Sequence, residues 1–297
     1  MSFRYESLSE KKRTVIVDTD IGPDCDDAAA LAVMFELKKK YDFNIGGIIN
    51  CTSNEYGNGA IDAICEFYGY EMEKTGIYKK ADFLSEHCVY NKYLAEKMVK
   101  KRSHVIESTR YYNEVLSKCE DNSVVIVTIG QFNAIADALR CNFDLFEKKV
   151  YAVISMAGSF PSGKEYNVTE DVASCKYFVE NCPCCIIFSG FEVGNSIITG
   201  FDGASGENNP VKKAYSLWTE GEMKRPSWDL TAMQYAIEGE NNFYSLSEEG
   251  IFKVSGDGKN TFSHLEGAKR YFLKISSRSG DIEKYLNNLL LKGDKDE

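Results

Sequence analysis

Short apolar runs alternate with longer amphipathic or apolar stretches along most of this 297-residue chain. Residues 15–17 (Val-Ile-Val) read as a buried strand and residues 28–37 as a mostly apolar helix, with the Gly22-Pro23 turn between them. The rhythm repeats. Residues 43–49 predict a second strand, residues 50–57 a polar loop, and Asn58 caps a predicted helix running to residue 68. Residues 82–119 predict helix rich in Lys, Glu and Tyr, the composition of a solvated outer layer. Residues 123–129 predict a strong third strand, closed by Gly130 and followed by a helix at 132–139. Residues 150–156 predict a fourth strand ending in the turn 157–163, then come a helix at 171–180 and a strand at 184–188. Residues 208–237 read as two helices broken at Arg225-Pro226. Residues 250–254 and 271–275 suggest an antiparallel appendage, and a helix at 282–291 precedes the charged tail 292–297, expected to fray.

Strands and helices in this order predict an α/β fold: an open, largely parallel, Rossmann-like sheet with helices on both faces and a small antiparallel C-terminal appendage, forming one domain over residues 1–297. A ligand site is then expected at the carboxyl ends of the strands. The formal charge of −10 argues against nucleic acid or an anionic membrane as partner. The polar amino terminus lacks the apolar core of a secretory signal, so a cytoplasmic location is expected. Ten cysteines scattered through predicted strands and helices of a chain this long read as buried thiols rather than a disulfide framework. The Cys182-Pro-Cys184-Cys185 run has no second ligand pair nearby and leads straight into an apolar strand, so it too reads as structural.

The chemistry concentrates at Asp18-Thr19-Asp20-Ile21-Gly22-Pro23-Asp24-Cys25-Asp26-Asp27. Asp18 and Asp20 lie two apart on extended chain and point to one side, while Asp26 and Asp27 fall in the first turn of the helix, where the dipole favours anions. One carboxylate suffices to cap a helix, and five in a loop repel one another unless a cation is present. A divalent ion is therefore expected.

These residues resemble the inosine-uridine preferring nucleoside hydrolases, whose signature is an Asp-x-Asp-Pro-Gly-x-Asp-Asp opening on the first strand. The likeness continues at Asn54, at Val127 to Gly130, at Ser155 to Gly158, at Glu165-Tyr166-Asn167 and at Trp228-Asp229. The resemblance implies a calcium-dependent hydrolase that splits the N-glycosidic bond of ribonucleosides or related N-ribosides by attack of a metal-bound water. It implies Ca²⁺ held by Asp20, Asp27, Asp229 and the carbonyl of Ile129, with Asp20 also the general base. Asp26, Asn54, Glu165 and Asn167 would hold the ribose, Met156 would pack beneath it, Trp228 would meet the base, and Asp18 would support the loop. A small-molecule riboside is the implied partner, and a homodimer or homotetramer the implied assembly.

The chain departs from the family at three places. Pro23-Asp24-Cys25 separates Gly22 from Asp26-Asp27 where one residue is usual, which makes Asp24 a rival ligand. Trp228 stands where several members have a histidine that protonates the leaving purine, and an indole cannot supply that proton, leaving His87 as a substitute. The asparagine used on the 5′-hydroxyl has no counterpart. Two other readings remain open from the sequence: a haloacid dehalogenase-like phosphatase using Asp18 and Asp20 with Mg²⁺, and a riboside-binding protein without turnover.

Overall fold

A computed structural model describes residues 4–203 and 208–293 of the chain. Its strands are β1 (Thr14–Thr19), β2 (Asn44–Asn50), β3 (Lys74–Ile77), β4 (His104–Glu107), β5 (Val124–Thr128), β6 (Val150–Met156), β7 (Ser162–Gly163), β8 (Cys185–Ser189), β9 (Ile198–Gly200), β10 (Lys224–Pro226), β11 (Tyr244–Leu246), β12 (Gly250–Val254), β13 (Asn260–His264) and β14 (Arg270–Ile275). Eleven of them follow the order β4-β3-β2-β1-β5-β6-β8-β14-β12-β13-β7, β11 adds to the same sheet through β14, and β9 pairs with β10 separately. From β4 to β14 the pairings are parallel; those of β7, β11, β12 and β13 are antiparallel. The expected architecture is therefore present, a largely parallel α/β sheet with antiparallel strands towards the C-terminus. Those strands extend the main sheet, because β14 runs parallel to β8 and carries β11 and β12 with it.

The order of the strands locates the site. The chain builds outward from β1 to β4, then returns to lay β5 against the other side of β1. At such a reversal the connections leave on opposite faces and open a crevice beyond the carboxyl ends of the strands. Asp20, Ile129 and Met156 stand at the ends of β1, β5 and β6, the three central strands.

Helix α1 (Asp26–Lys38) is buried from Asp26 to Leu37 because it is sandwiched between the sheet and the helices Pro210–Trp218, Trp228–Glu238 and Ser279–Gly293. That is why its sequence has no polar face. A second apolar layer, around Phe132, Phe146 and Phe178, covers the opposite side of the sheet.

Several local expectations need correction. Residues 82–119 are not one helical layer: β4 and the helix Ser108–Lys118 follow an irregular stretch with two short helical turns. β3 and β4 are four-residue strands, the outermost two on one side of the sheet, too short and too polar at their ends for a period-two pattern to show. Asn58 lies inside α2 (Gly57–Phe67) rather than at its cap, donating to Thr75 Oγ1 at 2.9 Å and the Gly76 carbonyl at 2.8 Å. The final helix is longer than expected at Ser279–Gly293, and residues 294–297 of the charged tail lie outside the described residues. All ten cysteines are free, with Cys182, Cys184 and Cys185 buried, and no helix among the described residues is long and apolar enough to cross a membrane.

Candidate active site

A cavity of about 480 Å³ opens at the carboxyl ends of β1, β5 and β6, and its wall includes Asp20, Asp26, Asp27, Ile129, Met156, Glu165, Asn167, Trp228 and Asp229. Oxygens of Asp26, Asp27 and Asp229 lie within 4.8 Å of one another, all three residues being buried. Two helices make this meeting. Asp26 and Asp27 form the first turn of α1, Asp229 stands in the first turn of Trp228–Glu238, and the packed pair is tied by the Asp229 N–H donating to Asp26 Oδ2 at 3.1 Å. Both helices thus aim their positive ends at the acids. Neither has a side-chain cap.

The trio contains Asp26, expected on the ribose, and leaves out Asp20, expected on the metal. Asp20 is nonetheless on the cavity wall, fixed by Gln131 Nε2 donating to its Oδ2 at 2.8 Å. The same amide donates to Asn167 Oδ1 at 3.1 Å, so one buried glutamine, which sequence reasoning missed, links two expected site residues. Its one available signal was its position directly after Gly130 at the end of a central strand.

Asp24 does not join the acids. It lines the same cavity but is outside the trio, and its carboxylate is held by Arg225, from Nε at 3.0 and 3.1 Å and from Nη2 at 2.5 Å. That loop turns at Gly22, where φ is +136° and a Cβ would meet the Asn91 amide at 2.3 Å, so only glycine fits.

Asn54 is buried but is not on the cavity wall. Its Nδ2 donates to the Ser85 carbonyl at 2.7 Å and the His87 carbonyl at 3.3 Å, and its Oδ1 accepts from Tyr56 N–H at 3.0 Å. These bonds fix the loop that carries the exposed His87 to the cavity rim. Asp18 is also off the wall: it is fully buried and accepts from Tyr112 Oη at 2.5 Å, a poor setting for the phosphatase nucleophile. Glu165 reaches the cavity while capping the short helix Tyr166–Thr169, accepting from the N–H groups of Gly158 (3.0 Å), Asn167 (2.7 Å) and Val168 (3.3 Å). Asn167 Nδ2 donates to the Met156 carbonyl at 3.0 Å, which holds Asn167 and Met156 together.

Burial dominates the electrostatics. It pushes Asp18 up to about 7 and Asp20 up to about 6, and it raises Asp26, Asp27 and Asp229 well above the ordinary aspartate value, with repulsion from neighbouring carboxylates adding to each. Glu165 rises to about 7 for the same reason, its three N–H donors pulling the other way. Among the described residues no lysine or arginine forms an ion pair with Asp26, Asp27 or Asp229. Three buried carboxylates this close together could hold a metal ion, with Arg225 partly offsetting the charge of Asp26.

A pH dependence follows. A carboxyl whose pKa is higher folded than unfolded binds more protons in the native state, so stability falls as pH rises between the two values. For Asp18 and Asp20 that window runs from the ordinary aspartate value of 3.8 to about 7 and about 6. With a chelator present, thermal melts are expected to give a lower Tm at pH 8 than at pH 5.5. A Tm rising over that range would show that these acids are charged at no cost.

No protein-family model matches the chain, and no curated protein matches it in sequence. Solved structures do match. A plant nucleoside hydrolase superposes with a TM-score of 0.74 at 15% identity, covering 97% of this chain and 100% of that one. The inosine-uridine preferring nucleoside hydrolase from Bacillus anthracis gives 0.72 at 13% identity, covering 97% and 100%. The type III effector protein XopQ complexed with adenosine diphosphate ribose gives 0.71 at 12%, covering 98% and 95%. At these identities the likeness establishes a shared fold, that of the nucleoside hydrolases.

Proposed function

We propose that this chain, having the nucleoside hydrolase fold, is a calcium-dependent N-ribosyl hydrolase that converts a ribonucleoside or related N-riboside and water into ribose and free base. The observation that carries the reading is the convergence of Asp26 and Asp27 with Asp229, which lies 203 residues beyond Asp26, beside Asp20 in one cavity at the strand ends. Asp20, Asp27, Asp229 and the Ile129 carbonyl would hold the ion. The chemistry supplied by an ion held there would be to acidify water, to bind a sugar diol and to offset the charge of the acids.

The rest is done by the chain. Asp20, oriented by Gln131, would take a proton from the attacking water. Asp26, Glu165 and Asn167 orient the ribose, with Met156 beneath it. Departure of the base leaves oxocarbenium character on the sugar, which the surrounding carboxylates stabilise. Asn54 acts by holding the loop of His87 rather than by touching sugar.

Neutral substrates suit this cavity better than adenosine diphosphate ribose. Six acids line it against Lys164 and Arg225, which already pair with Asp257 at 3.1 Å and Asp24 at 2.5 Å. A diphosphate would meet a surplus of negative charge there.

His87 is the one histidine on the wall, and imidazole is the side chain best suited to protonating a departing base at neutral pH. His87→Ala is expected to slow purine riboside cleavage roughly 10²-fold, within the usual range of general acid catalysis. It should slow p-nitrophenyl riboside much less, since nitrophenolate leaves without a proton. Equal losses on both substrates would remove His87 from this role.

The experiment for the function as a whole is release of reducing sugar from a nucleoside panel and p-nitrophenyl riboside, with calcium and with chelator. Calcium-dependent release supports the proposal. Tight riboside binding by calorimetry without release would instead make this a binding protein. We also propose one domain over the whole chain and a homo-oligomeric, cytoplasmic protein, to be checked by light scattering and fractionation.

A further inference from the structure

One wall of the cavity is a stack of four planar groups. The Arg225 guanidinium carbon lies 4.1 Å from the Trp218 ring centroid and 4.8 Å from that of Trp228. Trp228 in turn stacks on Phe191, with centroids 5.6 Å apart and planes at 27°. The Trp228 indole is therefore packed against both the cation and the phenyl ring. Both indole N–H groups are engaged too, Trp218 Nε1 with the Pro23 carbonyl at 2.7 Å and Trp228 Nε1 with the Phe191 carbonyl at 3.0 Å.

Arg225 is the polar layer of that stack. A guanidinium has two forked edges, one formed by Nε with a terminal nitrogen and one by the two terminal nitrogens. Asp24 takes the first edge, through Nε and Nη2. Nη1 has no hydrogen-bond partner among the described residues, and Arg225 lines the cavity with its side chain 27% exposed. It packs against two indoles and is tied to a carboxylate, and these contacts restrain the second fork.

We propose that Arg225 is the specificity-determining residue of the aglycone end, reading the edge of the leaving base with this second fork while Trp218 and Trp228 hold the guanidinium flat. The inference rests on the ribosidase reading and deepens it. A fork of two N–H donors matches a base edge with a carbonyl oxygen or an adjacent acceptor pair, as in 6-oxopurines. It opposes the exocyclic amino group of adenine or cytosine, where donor would face donor. Oxo bases are thus favoured over amino bases in both the purine and pyrimidine series.

The test compares kcat/KM for inosine against adenosine and for uridine against cytidine, in the natural protein, in Arg225→Lys and in Arg225→Met. Ratios within one preparation do not depend on the folded fraction. The natural protein is expected to favour the oxo member roughly 10- to 100-fold, and both variants to bring the ratio within about threefold of unity, the lysine keeping charge but losing the fork. A ratio near one in the natural protein, or a preference that survives in Arg225→Met, overturns the inference. Cleavage of p-nitrophenyl riboside, which has no such edge, separates that failure from failure of the ribosidase reading. Were no riboside cleaved, calorimetric Kd values for the same pairs decide the matter: a tenfold oxo preference lost in Arg225→Met supports edge reading, and equal affinities overturn it.

Discussion

Asp20→Asn is expected to lower kcat on every riboside by roughly 10²- to 10⁴-fold, the span that a positioned general base contributes. Asparagine keeps the volume of the side chain and an oxygen that can accept from Gln131 Nε2, now at 2.8 Å from Asp20 Oδ2. What it lacks is a site for the proton of the attacking water. The loss should fall on kcat, with KM changed far less, because the ribose is held by other groups. Single-turnover kinetics on p-nitrophenyl riboside check this, and a folded Asp20→Asn protein with undiminished kcat would place the base elsewhere.

Asp229→Asn is expected to abolish stabilisation by calcium while leaving the calcium-free protein as stable as before, or more so. Asp229 is 4% exposed and is repelled by Asp26, Asp27 and Asp20, so making it neutral relieves strain whenever no cation is present. The ion reverses the balance. Calcium at a hundred times its Kd should stabilise the natural protein by about 2.7 kcal/mol. For a chain of this size that is roughly a 4 °C rise in Tm. Thermal melts of both proteins in chelator and in calcium check the crossing. Equal calcium shifts in the two would mean that the ion binds elsewhere or that Asp229 does not hold it.

The parts of this protein that were legible in its sequence are those where one physical demand dominates. Central strands such as β5 and β6 are buried on both faces, so they read as continuous apolar runs. Helix α1 is buried all round and reads as apolar all round. The acids of the first loop stood out by their density, whereas Asp229 entered only through the family resemblance. What stayed hidden depends on pairings distant in sequence. Asp24 looked like a ligand, yet Arg225, 201 residues away, holds it. Asn54 looked like a sugar ligand because nothing local shows that the carbonyls of Ser85 and His87 take its amide. Arg225 itself read only as a break between two helices. Strands β3 and β4, the outermost two on one side of the sheet, were lost for a different reason, being too short for their alternation to register.

The mechanism requires one cation shared between the acids and the sugar. Anomalous difference density from a crystal grown with calcium and a non-hydrolysable riboside tests it most directly. A single peak bounded by Asp20, Asp27 and Asp229, touching two ribose hydroxyls, is the result expected. Density for the riboside with no peak among those carboxylates, or a peak remote from the sugar, would contradict it.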